Sequence, residues 1–299
     1  MAEKNKQARD TGVVMTPRTT TLPFNIGCLH GTFEPAKHGT NIPAQSGYWL
    51  IVQDQGLIVR EGVEWALPLG DMPSELEGRV SPPLWLGTWN GTPCWAAALH
   101  RDAALPTGLR RAPVSPTQGT PLPDDLLTLG GIAMQALWWE SISPHCPRCG
   151  AETVRMDNEW GKRCPTCGYE HYPHLHPAVI VLVQDGDRVL LTRKRSWVPG
   201  RYALIAGFVD NGESLESAVR REVKEETGVE VDDIQYVGSQ NWPFPSQLMV
   251  GFLARYSGGE VVVDHDELED AAWFPRDDLP AFPSRHTIAG FIIEHYARR

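Results

Sequence analysis

The chain has 299 residues, enough for about two folding domains of ordinary size. Hydrophobic residues make up 41% of it and there are 11 tryptophans, which excludes a disordered chain. A net charge of -10 argues against broad electrostatic binding of nucleic acid, though not against contact with one end of an RNA.

The first stretch, "MAEKNKQARDTGVVMTPRTTT" (residues 1–21), is polar, lacks the apolar centre of a signal peptide and reads as a mobile tail. The best apolar run, Ala178 to Val183, is strand-sized, far below the roughly 18 residues of a membrane span, so no membrane partner and a cytoplasmic location are expected. Residues 22–140 mix short apolar runs with turns and read as a separate α+β N-terminal domain. In it, Gly47 to Arg60 has the pattern of a hairpin and Cys94 to Leu99 that of a further strand. "RRAPVSPTQGTPLP" (Arg110 to Pro123) reads as a connector, and "DDLLTLGGIAMQALWWES" after it has helical periodicity that Gly130 and Gly131 weaken. Cys28 and Cys94 stand alone and read as two buried thiols, because a disulfide is not favoured in a reducing compartment. No internal repeat is visible along the sequence.

Residues 141–172 carry the four remaining cysteines. "CPRCG" from Cys146 to Gly150 is answered by "CPTCG" from Cys164 to Gly168, with fourteen residues between the pairs. A two-residue spacer lets both thiolates of one turn face a single ion, and the glycine relieves the turn that aims backbone N–H groups at sulfur. Cys146, Cys149, Cys164 and Cys167 therefore predict one tetrahedral, structural Zn2+ per chain in a zinc ribbon. A redox dithiol pair and a nucleic-acid-binding ribbon are the rival readings. The intervening "AETVRMDNEWGKR" balances three basic against three acidic residues, which gives no strong phosphate-binding face.

Residues 173–299 form the last region. A buried strand (Ala178 to Val183), a second strand (Arg188 to Arg193), a helix (Leu215 to Thr227), strands around Ile234 to Gln240 and Leu248 to Tyr256, and a terminal helix from about Thr287 are predicted. Glu222, Glu225 and Glu226 lie at i, i+3 and i+4 and so share one helix face. Like charges at that spacing weaken a helix, and a divalent cation bound by hard oxygen ligands offsets the repulsion. The alternative is a solvated acidic face partnered by Arg220, Arg221 and Lys224.

The wider spacing bears on that choice. Gly207, five residues, Glu213, seven residues and then "REVKEETGV" (Arg221 to Val229) resembles the Nudix box at every defined position. The resemblance implies an α/β/α sandwich with a mixed sheet, and hydrolysis of a nucleoside diphosphate linked to another group. It implies Mg2+ or Mn2+ held by Glu222 and Glu226, with Glu225 and the carbonyl of Ala206 beside them. Arg221 and Glu213 are expected to pair and fix the loop. Gly207 is expected where the backbone approaches closely, and Gly228 completes the structural positions of the box.

A four-cysteine ribbon before such a domain, with a separate N-terminal domain, is similar to the NADH pyrophosphatase subfamily. That subfamily carries a downstream motif SQPWPFPxS, and Ser239 to Pro245 match it in six of seven places, with Asn241 for the first proline and Gln247 for the closing serine. The resemblance implies that Gln240, Asn241, Trp242, Pro243, Phe244, Pro245, Ser246 and Gln247 form a rigid wall that orients a dinucleotide. It further implies substrate contacts from Glu159, Tyr172 and Phe208, a backbone contact from Ala289, and a metal-binding Glu267. Tyr172 is expected to reach the partner subunit's site, hence a homodimer with sites near its interface. The implied partners are NAD(H) and NAD-capped RNA 5′ ends, cut to NMN(H) and AMP or to 5′-monophosphate RNA. The alternatives are a Nudix hydrolase preferring ADP-ribose or dinucleoside polyphosphates, and a nucleic-acid-binding zinc-ribbon protein with an inactive Nudix domain.

Overall fold

The computed structural model describes residues 18–37, 42–62, 65–115 and 122–298. Positions 1–17 of the expected tail lie outside the described residues. Its end differs from expectation, because Thr19–Thr21 form a 3-10 turn with Thr19 buried.

The N-terminal unit contains strands β1 (Phe33–Pro35), β2 (Ser46–Gln53), β3 (Gly56–Arg60), β4 (Leu69–Asp71), β5 (Leu84–Trp89), β6 (Thr92–Ala98) and β7 (Leu109–Pro113), then helix α1 (Asp124–Ile142). β2 and β3 make the expected hairpin. Its two turn residues, Asp54 and Gln55, have φ of 46° and 59°, the left-handed pair that a two-residue turn requires. α1 buries Leu126, Leu127, Leu129 and Ala133 against the sheet. The two helical glycines serve packing: a Cβ on Gly131 would come within 2.6 Å of the Phe24 ring and 3.0 Å of Pro243.

Three two-residue strands follow, β8 (Val154–Arg155), β9 (Lys162–Arg163) and β10 (Glu170–His171), paired in the order β10-β9-β8 around the cysteines. Buried Lys162 anchors this ribbon to α1 through Glu140 at 3.2 Å and the Ser143 carbonyl at 3.2 Å. Cys28 and Cys94 are buried and unbridged.

The C-terminal unit contains β11 (His176–Asp185), β12 (Arg188–Arg193), β13 (Ile205–Phe208), helix α2 (Leu215–Thr227), β14 (Glu230–Trp242), β15 (Gln247–Gly258), β16 (Asp270–Pro275) and α3 (Ile288–Ile292), which continues as a π turn to Ala297. β11 reads as an unbroken apolar run because both its faces are covered. Val179, Val181 and Val183 pack with the Ala218, Val219 and Val223 stripe of α2, while Ile180 and Leu182 pack with Ile288, Phe291 and Ile292 of α3. This is a mixed sheet between two helical layers, the expected sandwich.

The two sheets share one wiring, a repeat that the sequence does not display. The first runs β5-β6-β2-β3-β7 with β4 on β2; the second runs β14-β15-β11-β12-β16 with β13 on β11. In each the pair β2/β6 or β11/β15 is parallel and its neighbours are antiparallel. The register agrees residue by residue. Counting back from Gln53↔Gly56 and Asp185↔Arg188, Tyr48 matches Ile180, Leu69 matches Ala206 and Gly70 matches Gly207. A bulge falls at the same place in both, between Trp85 and Gly87 and between Tyr236 and Gly238. β1 extends the first sheet along β5.

Candidate active site

The carboxylate helix is held at both ends. The Ser214 hydroxyl caps its start by accepting from the Ser217 N–H, and Gly228 ends it at φ 72°, donating its N–H to the Lys224 carbonyl. A Cβ on Gly228 would come within 2.8 Å of the Glu260 carbonyl, so the turn after the helix also needs the missing side chain.

Along the exposed edge of α2, Arg221 gathers the box together. It donates to Glu213 at 2.7 and 2.8 Å, to Glu222 at 2.7 Å, to Glu225 at 3.0 Å and to the Phe208 carbonyl at 2.9 Å. Glu213 also accepts from the Asp210 N–H at 2.9 Å. The Arg221 hydrogen bonds, with that N–H, bring the Glu213 carboxyl down to about 2, and the same pairing raises the guanidinium above its ordinary value.

Glu222 and Glu226 face inward. The Glu222 carboxyl lies against Gly207 of β13, where a Cβ would stand 2.0 Å from its carbon. Only glycine leaves room for that carboxylate. Burial raises the Glu222 pKa against the pull of Arg221, and the charges of Glu225 and Glu267 raise it further. Glu226 is 3% exposed, and neither of its carboxylate oxygens has a hydrogen-bond partner. Burial pushes it up to about 7, opposed by Lys194 and reinforced by Glu222, Glu267 and Asp264. A buried carboxylate with no hydrogen-bond donor costs free energy, and hard oxygen donors at one end of a helix fit a Mg2+-like ion. Ala206 sits next to Gly207 in β13, paired with Ile180.

The loop carrying Glu267 docks on the end of α2. Asp264 N–H donates to the Glu226 carbonyl and Val262 N–H to that of Thr227, with Leu268 buried beneath. Lys194, one residue past β12, was not singled out in sequence, yet its Nζ lies 4.0 Å from the Glu226 carboxylate. Its only signal is a place in the basic run Arg193 to Arg195.

The four cysteine sulfurs converge within 4.8 Å of one another, with Cys146–Cys167 at 3.6 Å and Cys149–Cys164 at 3.5 Å. Tetrahedral zinc, with Zn–S of about 2.3 Å, fits such spacings. Gly150 and Gly168 take φ of 77° and 74°, and the Arg148 N–H points at the Cys146 sulfur. Among the described residues this is the one gathering of three or more metal-ligating groups this tight; the carboxylates are spread along their helix with Arg221 among them.

The proline-containing segment links β14 to β15. Ser239 to Trp242 belong to β14 and Gln247 opens β15, so the motif is a hairpin turned at Pro243–Ser246, with a cis Phe244–Pro245 peptide. Gln240, Pro243 and Ser246 turn inward, while Pro245 is exposed. Gln240 is fully buried, donating to the carbonyls of Pro23 and His286 and accepting from the Ile288 N–H. Ser246 is buried against His176 at 2.8 Å. Trp242 and Phe244 set their rings 5.6 and 5.7 Å from Phe24 and pack on the N-terminal core. Asn241 exchanges two side-chain hydrogen bonds of 3.0 Å with Gln135 of α1, and its N–H donates to Asn25. The motif joins the two units, and burial in the joint satisfies the polar groups of Gln240 and Ser246.

Other expected contacts lie in the open. Phe208, 51% exposed, leaves β13 beside the box, and Tyr172 is 43% exposed with its hydroxyl donating to Glu159 at 3.1 Å. Ala289 is buried at the start of α3.

Residues 174–294 match the NUDIX domain family, 143–172 the NADH pyrophosphatase zinc ribbon domain, and 46–139 the NADH pyrophosphatase-like rudimentary NUDIX domain. The chain is similar to the NAD-capped RNA hydrolase NudC of Pseudomonas aeruginosa, 40% identical over 269 residues, covering 87% of this chain and 93% of that protein. The chain belongs to the NADH pyrophosphatase group of Nudix hydrolases. Its likeness to the proteins of the same name from Stutzerimonas stutzeri (40% identity; 86% of this chain, 92% of that one) and Escherichia coli (36%; 83% and 92%) spans both units and the ribbon. The shared wiring of the two sheets agrees with the match of the N-terminal unit to a rudimentary Nudix domain. It is a Nudix hydrolase, with a carboxylate-bearing helix and a four-cysteine ribbon. No described helix is long and apolar enough to cross a membrane.

Proposed function

We propose that this Nudix hydrolase cleaves the pyrophosphate of NAD(H) to NMN(H) and AMP, and removes the NAD cap from RNA 5′ ends to leave a 5′-monophosphate. The observation that carries the reading is the α2 site: Glu222 seated on Gly207 beside the buried Glu226, whose carboxylate has no hydrogen-bond partner, in a chain that aligns with NAD-capped RNA hydrolases over most of its length.

Glu222 and Glu226, with Glu225 and Glu267 at the rim, hold the divalent cation, Mg2+ or Mn2+. When bound, such a cation would offset the pyrophosphate charge and make the attacking water more acidic. Arg221 and Glu213 fix the loop and so the position of Gly207 against Glu222. A glutamate of this cluster takes the proton of the attacking water. Phe208 offers a ring face to the dinucleotide, since an offset stack contributes about 1 kcal/mol beyond burial. Tyr172 and Glu159 approach from the ribbon, completing the site of the other subunit in a cytoplasmic homodimer. Turnover of NADH, NAD, ADP-ribose and NAD-capped RNA with Mg2+ or Mn2+ tests the assignment. NADH and capped RNA are expected to lead, and a clear preference for ADP-ribose sinks it. Sedimentation of the purified protein tests the dimer.

A further inference from the structure

The N-terminal unit holds a cavity of about 550 Å3, walled by Tyr48, Trp65 and Trp89 together with Arg60, Asp125 and Leu126. That volume lies within the range of small-molecule sites. The Tyr48 and Trp89 rings stand 5.1 Å apart, and the Arg110 guanidinium lies 4.0 Å over the Trp65 ring. Flat aromatic faces beside guanidinium groups suit a nucleobase with its phosphate.

The register relates this cavity to the catalytic unit. Tyr48 stands at the place of Ile180, Leu69 of the cavity wall at the place of Ala206, and α1 follows its sheet as α3 follows the other. Asp125 and Leu126 lie in the first turn of α1; Ala289, the expected nucleotide contact, lies in the first turn of α3. Trp89 takes the place of Gln240, counted from the shared bulge. In the catalytic unit Gln240 fills that place and is tied to the Ile288 N–H and the His286 carbonyl. In the N-terminal unit the indole of Trp89 is directed to Thr32 at 3.2 Å and the cavity lies beside it. The two helix starts adjoin, with His286 Nδ1 3.4 Å from the Asp124 carboxylate.

We propose that this cavity is a second nucleotide-binding site, which takes an unstacked base of the single-stranded RNA trailing from the NAD cap. The proposal rests on capped RNA being a substrate. The base stacks against Trp65 and Trp89, Arg60 meets its phosphate, and the Asp125 carboxylate accepts from a base amino group. A free mononucleotide shares this chemistry, so the test separates the two.

Trp65→Ala and Arg60→Ala are made in the full chain, and steady-state kinetics are measured on NADH and on NAD-capped RNA with an unpaired 5′ region. KM for the capped RNA is expected to rise about tenfold, the effect of one lost base–aromatic stack, with kcat and both NADH constants unchanged. RNA kinetics equal to wild type overturn the proposal, and so does a parallel loss on NADH, which marks a structural role. Binding of an uncapped single-stranded RNA and of AMP to the Glu226→Gln protein, read by titration calorimetry with and without Trp65→Ala, forms the second arm. RNA binding lost on Trp65→Ala supports the site even if the wild type cleaves no capped RNA, which would fault the functional reading alone. Binding of AMP that is lost on Trp65→Ala, without RNA binding, assigns the cavity to a free nucleotide and overturns the proposal.

Discussion

The two sheets of this molecule have the same strand order, the same parallel pair and the same bulge, yet only one carries a pyrophosphatase site. The difference lies in the connection after the strand bearing Gly70 or Gly207. In the N-terminal unit the chain passes from β4 to β5 with one 3-10 turn, Ser74–Leu76. In the C-terminal unit the same connection holds α2 and its carboxylates. The glycines follow their neighbours. At Gly207 a Cβ would overlap the Glu222 carboxyl, whereas at Gly70 it would meet nothing within 4 Å. The sheet is a scaffold that the two units share, and the carboxylates proposed for the chemistry stand on one inserted helix.

Removing the ribbon's zinc is expected to have the largest effect, because metal binding and folding are one event in such modules, worth ~10 kcal/mol or more in isolated fingers. Chelation should unfold residues around Cys146 to Cys167 and split the thermal transition of the two units, while the carboxylate helix keeps its affinity for Mn2+. Calorimetry with metal analysis reads both. A single unchanged transition after zinc loss would show that the Lys162 anchor and the hairpin joint suffice to hold the units together.

Glu226→Gln comes next. It should lower kcat for NADH about a thousandfold, within the range for removal of a general base, with the far-ultraviolet spectrum intact. The same substitution has a consequence for stability in metal-free protein. The folded pKa is about 7 and the ordinary value 4.5, so the folded state favours the protonated carboxyl. Stability from that preference is complete below about 4.5 and is lost as pH rises through 7. Glu226→Gln should therefore melt above wild type at pH 8 and close to it at pH 4.5. Retention of near wild-type turnover would falsify the assignment of Glu226 to the site.

The paired glycines give a smaller and more direct contrast. Gly207→Ala should push the Glu222 carboxylate aside and lower kcat/KM by about a hundredfold, as small displacements of catalytic groups do. Gly70→Ala should leave turnover alone and cost about 1 kcal/mol, since its φ of 105° strains an L-residue in otherwise open space. Equal effects on activity at both positions would dissolve the distinction between the units.

The sequence was most legible where local rules act. The helix bounds Leu215 and Thr227 follow from Ser214 and Gly228, the two knuckles predict the sulfur cluster, and the alternation around Gly47 to Arg60 predicts its hairpin. What stayed hidden is long-range. The repeat is hidden because different side chains fill equivalent places, such as Tyr48 for Ile180 and Trp89 for Gln240. The inward turn of the Trp242–Phe244 hairpin depends on Phe24, over two hundred residues away in sequence, and on the space that Gly131 leaves. Local pattern marks two stiff aromatics there without saying which side of the hairpin the partner occupies.

The smallest effect is expected at Asn241, where the subfamily's motif has proline. Its amide is engaged with Gln135 and its N–H with Asn25, so its contribution should be to the joint between units and not to substrate choice. Asn241→Ala and Gln135→Ala should each cost about 1 kcal/mol in stability, with the double variant costing less than the sum because the two amides serve each other. The ratio of kcat/KM for NADH to that for ADP-ribose should not move. If Asn241→Ala shifts that ratio while Gln135→Ala does not, then Asn241 reaches the substrate directly, and the hairpin selects the dinucleotide as well as joining the catalytic unit to its rudimentary twin.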